Sequence, residues 1–238
     1  MKTFFPESFN FKQHITPDKK IKQLKILRGI GFITHMVILF SNYFTLNSPR
    51  VFYFYTTWGI IMTMLNFLFS FLSTYFNEDS SAKVHYHKFC YVFFEIAWTS
   101  EAVITIFFWL VLTWTLPAEA WNIRMVLVML LLHLYPFAML CVDFLITKMT
   151  FRVNHVLFIM IPPILYMFLS IYLSLVHDIV LYNVVLTWKD IITLFSVILL
   201  VSLFIGVFMC GYYIGKKMFK RTEDYEITMH TNESSKPY

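Results

Sequence analysis

Charge is scarce in this sequence. Only 14% of its 238 residues are Asp, Glu, Lys or Arg, against about 25% in an average soluble domain, which excludes a water-soluble globule of this length. Cysteine is nearly absent. Cys90, Cys141 and Cys210 each lie in or beside an apolar run, so neither a disulfide framework nor a metal-ligand pair is visible, and buried, inert thiols are expected. Deep histidines are few: only His35 and His133 fall well inside apolar runs. A two-haem transmembrane reductase needs several, paired across facing helices. Repeat symmetry with matching broken helices is missing, which speaks against a transporter. No ring-forming filter sequence supports a channel. The first 25 residues are polar and charged, so no cleavable signal peptide is expected.

What the chain has is apolar length. It is 58% hydrophobic and 20% aromatic, with 27 Phe and a mean hydropathy of +0.65. Six stretches, 29–46, 51–75, 89–115, 125–147, 154–176 and 191–215, are long enough to cross about 30 Å of hydrocarbon as helices. They are continuous rather than alternating, which excludes transmembrane strands. The reading is an all-α, polytopic membrane protein, a six-transmembrane-helix bundle over 29–215. A cytosolic segment, 1–28, precedes it and a cytosolic tail, 216–238, follows.

Basic residues set the expected orientation. With the N-terminus, second and fourth loops and tail on one side, that side holds sixteen Lys and Arg against Arg50, Arg124 and Lys189 opposite. The asymmetry predicts cytosolic termini. The net charge of +5 therefore serves orientation, and no nucleic-acid partner is expected. Tyr53, Tyr55, Trp114, Trp121, Tyr182 and Trp188 mark the opposite interface, and the Asn232 sequon lies in the cytosol, unmodified.

Ionisable groups inside apolar runs cost roughly 2.5–3.5 kcal/mol on insertion scales. They are His35, Glu95, Glu101, His133 and Asp143. Either a site inside the bundle or helix-to-helix hydrogen bonding explains them. Thr56, Gly59, Thr63, Asn66, Ser70 and Thr74 recur at three- or four-residue steps, so one face of the second helix points into the bundle. His133 stands three residues before Pro136, a proline expected to free the Leu132 carbonyl and kink the helix beside the histidine. Asp143 lies about 15 Å further along the axis, too far to orient His133, which leaves Glu95 or Glu101 as candidate partners. Pro162-Pro163 predicts a break in the fifth helix, while Gly206, Gly211 and Gly215 read as packing positions in the sixth.

The pattern resembles a known family. Phe52-Tyr53-Phe54-Tyr55-Thr56 is similar to an aromatic-x-Thr helix start, and Thr57-Trp58-Gly59 follows it. Glu95-Ile96-Ala97, Phe108-Trp109, the His133…Asp143 spacing and the Tyr182–Trp188 stretch continue the match. Together they resemble the family of androgen-induced-gene-one and androgen-dependent TFPI-regulating protein, with features of its Rolling stone-like relatives. The resemblance covers about residues 51 to 188. Phe52 stands where the family has Trp and Asn183 where it has Pro. The resemblance implies six transmembrane helices and a threonine hydrolase of fatty acid esters of hydroxy fatty acids, with Thr56 as nucleophile and His133 as its base. It implies an acyl-ester or membrane-lipid substrate, no metal, no cofactor, and an endoplasmic reticulum or other endomembrane location. Thr57 and Asn66 are candidate oxyanion donors. The Rolling stone-like branch implies instead a non-enzymatic multi-pass protein acting through helix or lipid contacts. On the hydrolase reading, Thr56 and His133 are expected to approach one another across a cavity between the second and fourth helices, lined by Phe and Leu and open toward lipid. A separation of more than about 8 Å with aromatics packed between them would leave the non-enzymatic reading.

Overall fold

The computed structural model describes residues 20–75, 81–182 and 186–234. Most of the expected N-terminal segment, Asn183 and the end of the tail lie outside these residues. The described chain is helical, with no strand among the described residues. Its helices are α1 (Ile21–Leu46), α2 (Tyr55–Ser73), α3 (Ser81–Leu110), α4 (Ile123–His133), α5 (Tyr135–Thr147), α6 (Val156–Ile159), α7 (Ile161–Val176) and α8 (Ile191–Ser234). Five spans are long and apolar enough to cross a membrane, and a sixth is added if the bent pair α4–α5 counts as one.

The helix ends depart from hydropathy in ways chemistry explains. α1 begins at Ile21 rather than 29, because its basic first turns still favour a helix though they lower hydropathy. α8 likewise continues to Ser234, past the apolar run that was taken to end it at 215. The fourth stretch breaks at Leu134, and α5 restarts there at 41° with Pro136 in its first turn. Proline fits the start of a helix because its missing N–H has no partner to lose there. The fifth breaks at Met160, again with proline in the first turn of the new helix.

The outward faces carry apolar side chains. Ile26, Ile30, Ile33, Val37, Phe40 and Phe44 form one stripe along α1, each more than half exposed. A continuous apolar face of this length suits lipid rather than water. The helix-2 stripe lies inside as expected: Gly59, Thr63, Asn66 and Ser70 are buried and Thr56 is half-buried. α3 is the central helix, packing on α2, α4, α5, α6 and α8.

Aromatic rings lock one end of the bundle. Trp98 of α3 meets Phe151 edge-on at 5.1 Å, and Phe151 packs at 5.7 Å on Phe144 and 5.6 Å on Phe208 of α8. Glycines admit this contact. A Cβ on Gly211 would stand 2.7 Å from the Phe151 ring, and one on Gly215 would stand 2.5 Å from the Met149 carbonyl oxygen. Two of the three packing glycines thus behave as expected, while Gly206 faces open space. Backbone cannot yield as a side chain can, so Gly215→Ala should destabilise the fold by about 1–3 kcal/mol. Thermal unfolding in detergent checks this, with Gly206→Ala as the neutral control.

Candidate functional site

The buried ionisable groups sort into separate pairs, and most are structural. Arg28 was counted with the cytosolic charges, but it is buried in the bundle. Its Nε and Nη2 donate to Asp143 at 3.1 and 3.0 Å, and Nη1 donates to the Ser70 carbonyl at 3.0 Å. One side chain thereby ties α1, α5 and α2 together, and the basic residue serves folding rather than orientation. Glu95 accepts from the Arg152 backbone N–H at 2.8 Å and pairs with the His155 ring. Glu101 accepts from Thr63 at 3.2 Å, and its Oε2 has no partner among the described residues. Neither glutamate meets His133. Both expected partners are thus corrected: each is taken up by residues at a different level of α3. His35 bonds the Gly31 carbonyl one turn back at 2.7 Å and stacks near Tyr135.

The other groups with proposed roles also fall into place. The Thr57 hydroxyl donates to the Val51 carbonyl at 2.7 Å, so it caps the turn before α2 and is not an oxyanion donor. Asn66 is buried with both side-chain polar atoms unpartnered and does not line the cavity described below. Of the cysteines, Cys90 is buried, Cys141 intermediate and Cys210 exposed. The last two correct the expectation of three buried thiols.

One apolar cavity unites the remaining candidates. Its empty space, open mouth included, is ≈ 860 Å³, within the span of small-molecule sites, about 300–1,000 Å³. The main walls come from α3, α7 and α8, including Phe107, Phe108, Met167, Leu200 and Phe204. This differs from the expected site between the second and fourth helices, which contribute only Tyr55, Thr56 and His133. Ile164 of α7 and Val201 of α8 are the exposed lining residues, at 42% and 38%, so the mouth faces outward between those helices. No lysine or arginine among the described residues lines the cavity.

Thr56 and His133 both line this cavity. The chain break at Leu134 sets the histidine. His133 is the last residue of α4, its ring lies flat on Phe108 with centroids 3.5 Å apart and planes within 7°, and Thr105 donates to its carbonyl at 2.6 Å. The proline was expected to free the Leu132 carbonyl, yet the carbonyl that α3 captures is one residue further on. Nδ1 of His133 has no hydrogen-bond partner among the described residues, so it does not touch Thr56. The two residues share a chamber without a bond between them.

Two tyrosines complete the polar end. Tyr166 is buried and its hydroxyl makes no well-formed hydrogen bond among the described residues. The Tyr182 hydroxyl lies within interaction range of Tyr166, the Tyr55 backbone and Thr56. Burial pushes the Tyr182 phenol above its ordinary range, more than these contacts lower it. Both Tyr55 and Tyr182 had been taken for interfacial anchors. Tyr55 is buried, with its hydroxyl 3.2 Å from Ser100. Trp114 and Trp121, 85% and 47% exposed, stand out as interfacial rings would. Nothing in a lone tyrosine within an apolar stretch distinguishes the two cases. No family model, curated protein or solved structure matches this chain.

Proposed function

We propose that the chain is a six-span integral protein of the endoplasmic reticulum or another endomembrane, with cytosolic termini, that hydrolyses lipid esters through Thr56 and His133. Fatty acid esters of hydroxy fatty acids are the substrate class implied by its resemblance to the androgen-induced-gene-one family. One observation carries the reading: the threonine and histidine singled out in the sequence line the same apolar, outward-opening cavity. A threonine hydroxyl needs a base to become a useful nucleophile, and an imidazole nitrogen with no other partner suits that task. Unliganded sites are often looser than reacting ones, so an ester seated between the two residues is what brings them into line. Apolar walls suit acyl chains, and the outward mouth suits entry from a bilayer.

Labelling with an alkyl fluorophosphonate tests the proposal. The purified protein should acquire the probe and Thr56→Ala should not. Equal labelling of both would refute Thr56 as nucleophile. Labelling of neither, with a fluorescent fatty acid still bound in the cavity, would favour the non-enzymatic, Rolling stone-like reading, in which the cavity holds lipid without cleaving it.

A further inference from the structure

We propose that the phenols of Tyr166 and Tyr182 bind the carbonyl oxygen of an uncharged acyl ester and donate to it as it becomes an oxyanion. This rests on the hydrolase reading above. It supplies the donors that neither Thr57 nor Asn66 provides.

A buried hydroxyl without a partner calls for an explanation, because most buried polar atoms are satisfied. Tyr166 is 6% exposed and lines the cavity, and its buried hydroxyl makes no well-formed hydrogen bond, with only Tyr182 and the Tyr55 backbone in range. Its ring is fixed on two sides, 4.9 Å from the Tyr55 ring and 5.6 Å, edge-on, from Trp58. Tyr182 packs edge-on against Phe54 at 6.1 Å. The residues that orient both phenols therefore flank Thr56 in the same turn of chain. Neighbouring hydroxyls are already engaged, Tyr55 with Ser100 and Thr57 with Val51. Tyr166 and Tyr182 instead reach one another, the Tyr55 backbone and, from Tyr182, Thr56 itself, which sets both phenols beside the threonine a ligand would meet.

The chemistry balances without any further reactant than water. Thr56 Oγ1 forms a bond to the ester carbon while its proton passes to His133, and the carbonyl π pair moves onto oxygen between the two phenols. The oxyanion then re-forms the carbonyl, the bond to the alcohol oxygen breaks, and His133 returns the proton to that oxygen. Water repeats both steps on the acyl-threonine and releases the acid. Donors set in place before the reaction stabilise the developing charge at no reorganisation cost. The described lining is apolar apart from hydroxyls and His133, with no lysine or arginine among the described residues, which suits an uncharged acyl ester better than a phosphate-bearing group at this point.

Hydrolysis of p-nitrophenyl decanoate by the full chain in detergent is the test. Tyr166→Phe and Tyr182→Phe remove one oxygen each and leave the ring packing. Each should lower kcat by about 10²-fold, with KM changed less than about twofold and the thermal midpoint unchanged. A wall residue would instead raise KM and spare kcat. Both variants turning over like wild type, while Thr56→Ala is inactive, would overturn the phenol assignment alone. Activity of Thr56→Ala equal to wild type would overturn the hydrolase reading and the phenol assignment with it. Should a Phe variant fold poorly, 3,5-difluorotyrosine at position 166 keeps ring and hydroxyl but makes the phenol more acidic. A severalfold change in kcat then supports a donor, and none refutes it.

Discussion

Asp143→Asn lowers the stability of the bundle by about 3–5 kcal/mol, the range found when one partner of a buried ion pair is removed. Arg28 has no route to water: residue and partner are both buried, and three of its nitrogens are committed to Asp143 and Ser70. An asparagine keeps a hydrogen bond but not the charge, so the guanidinium is left uncompensated. Arg28→Lys should also destabilise, since an ammonium cannot span a carboxylate bidentately and reach a carbonyl on a third helix. The double variant Arg28→Met, Asp143→Leu should recover most of the loss, because apolar replacement of a whole buried pair is often neutral. Unfolding in mixed micelles reads all three. A wild-type midpoint for Asp143→Asn would contradict the account.

His133→Phe should reduce ester turnover by a factor on the order of 10² to 10⁴, the usual contribution of a general base, while the fold stays intact. The two effects separate because the ring's face and its nitrogens have different surroundings. Its face lies on Phe108 at 3.5 Å, a contact that phenylalanine keeps. Its ring nitrogens, of which Nδ1 is buried and unpartnered, are lost. The backbone carbonyl held by Thr105 is untouched. Turnover of p-nitrophenyl decanoate and the thermal midpoint are measured on one preparation. Full turnover in His133→Phe would remove the histidine from the mechanism. A collapsed midpoint would mean that the ring is chiefly structural.

Much of the helical layout is legible in the sequence, because apolar length and proline position are local signals. The break beside His133 follows from Pro136, and the inward face of α2 follows from residues three and four apart. What the sequence does not carry is which distant groups meet. Arg28 reads as one more orienting charge until Asp143, 115 residues later, is placed against it. Glu95 reads as a partner for His133, yet it is claimed by His155 and the Arg152 backbone, which stand near it only once the chain after α5 folds back. Thr56 and His133 could be named in advance by resemblance, whereas the walls of their cavity could not. Tyr166 and Tyr182 were hidden for a further reason. A tyrosine in an apolar run serves equally as an interfacial anchor or as an inward-packed ring, and only the packing of Tyr55, Trp58 and Phe54 against them places both beside the start of α2.

The Arg28–Asp143 pair also orders events in time. Its two halves are made 115 residues apart, roughly 6–23 s at typical rates of synthesis, about 5–20 residues per second. Throughout that interval Arg28 needs water or lipid headgroups as its counterpart, so α1 cannot settle at its final depth when it first emerges. Ser70 offers a carbonyl earlier, through α2, but no negative charge. Closure of the bundle around α1 therefore waits for α5, so a helix made well before its partner is fixed no sooner than that partner.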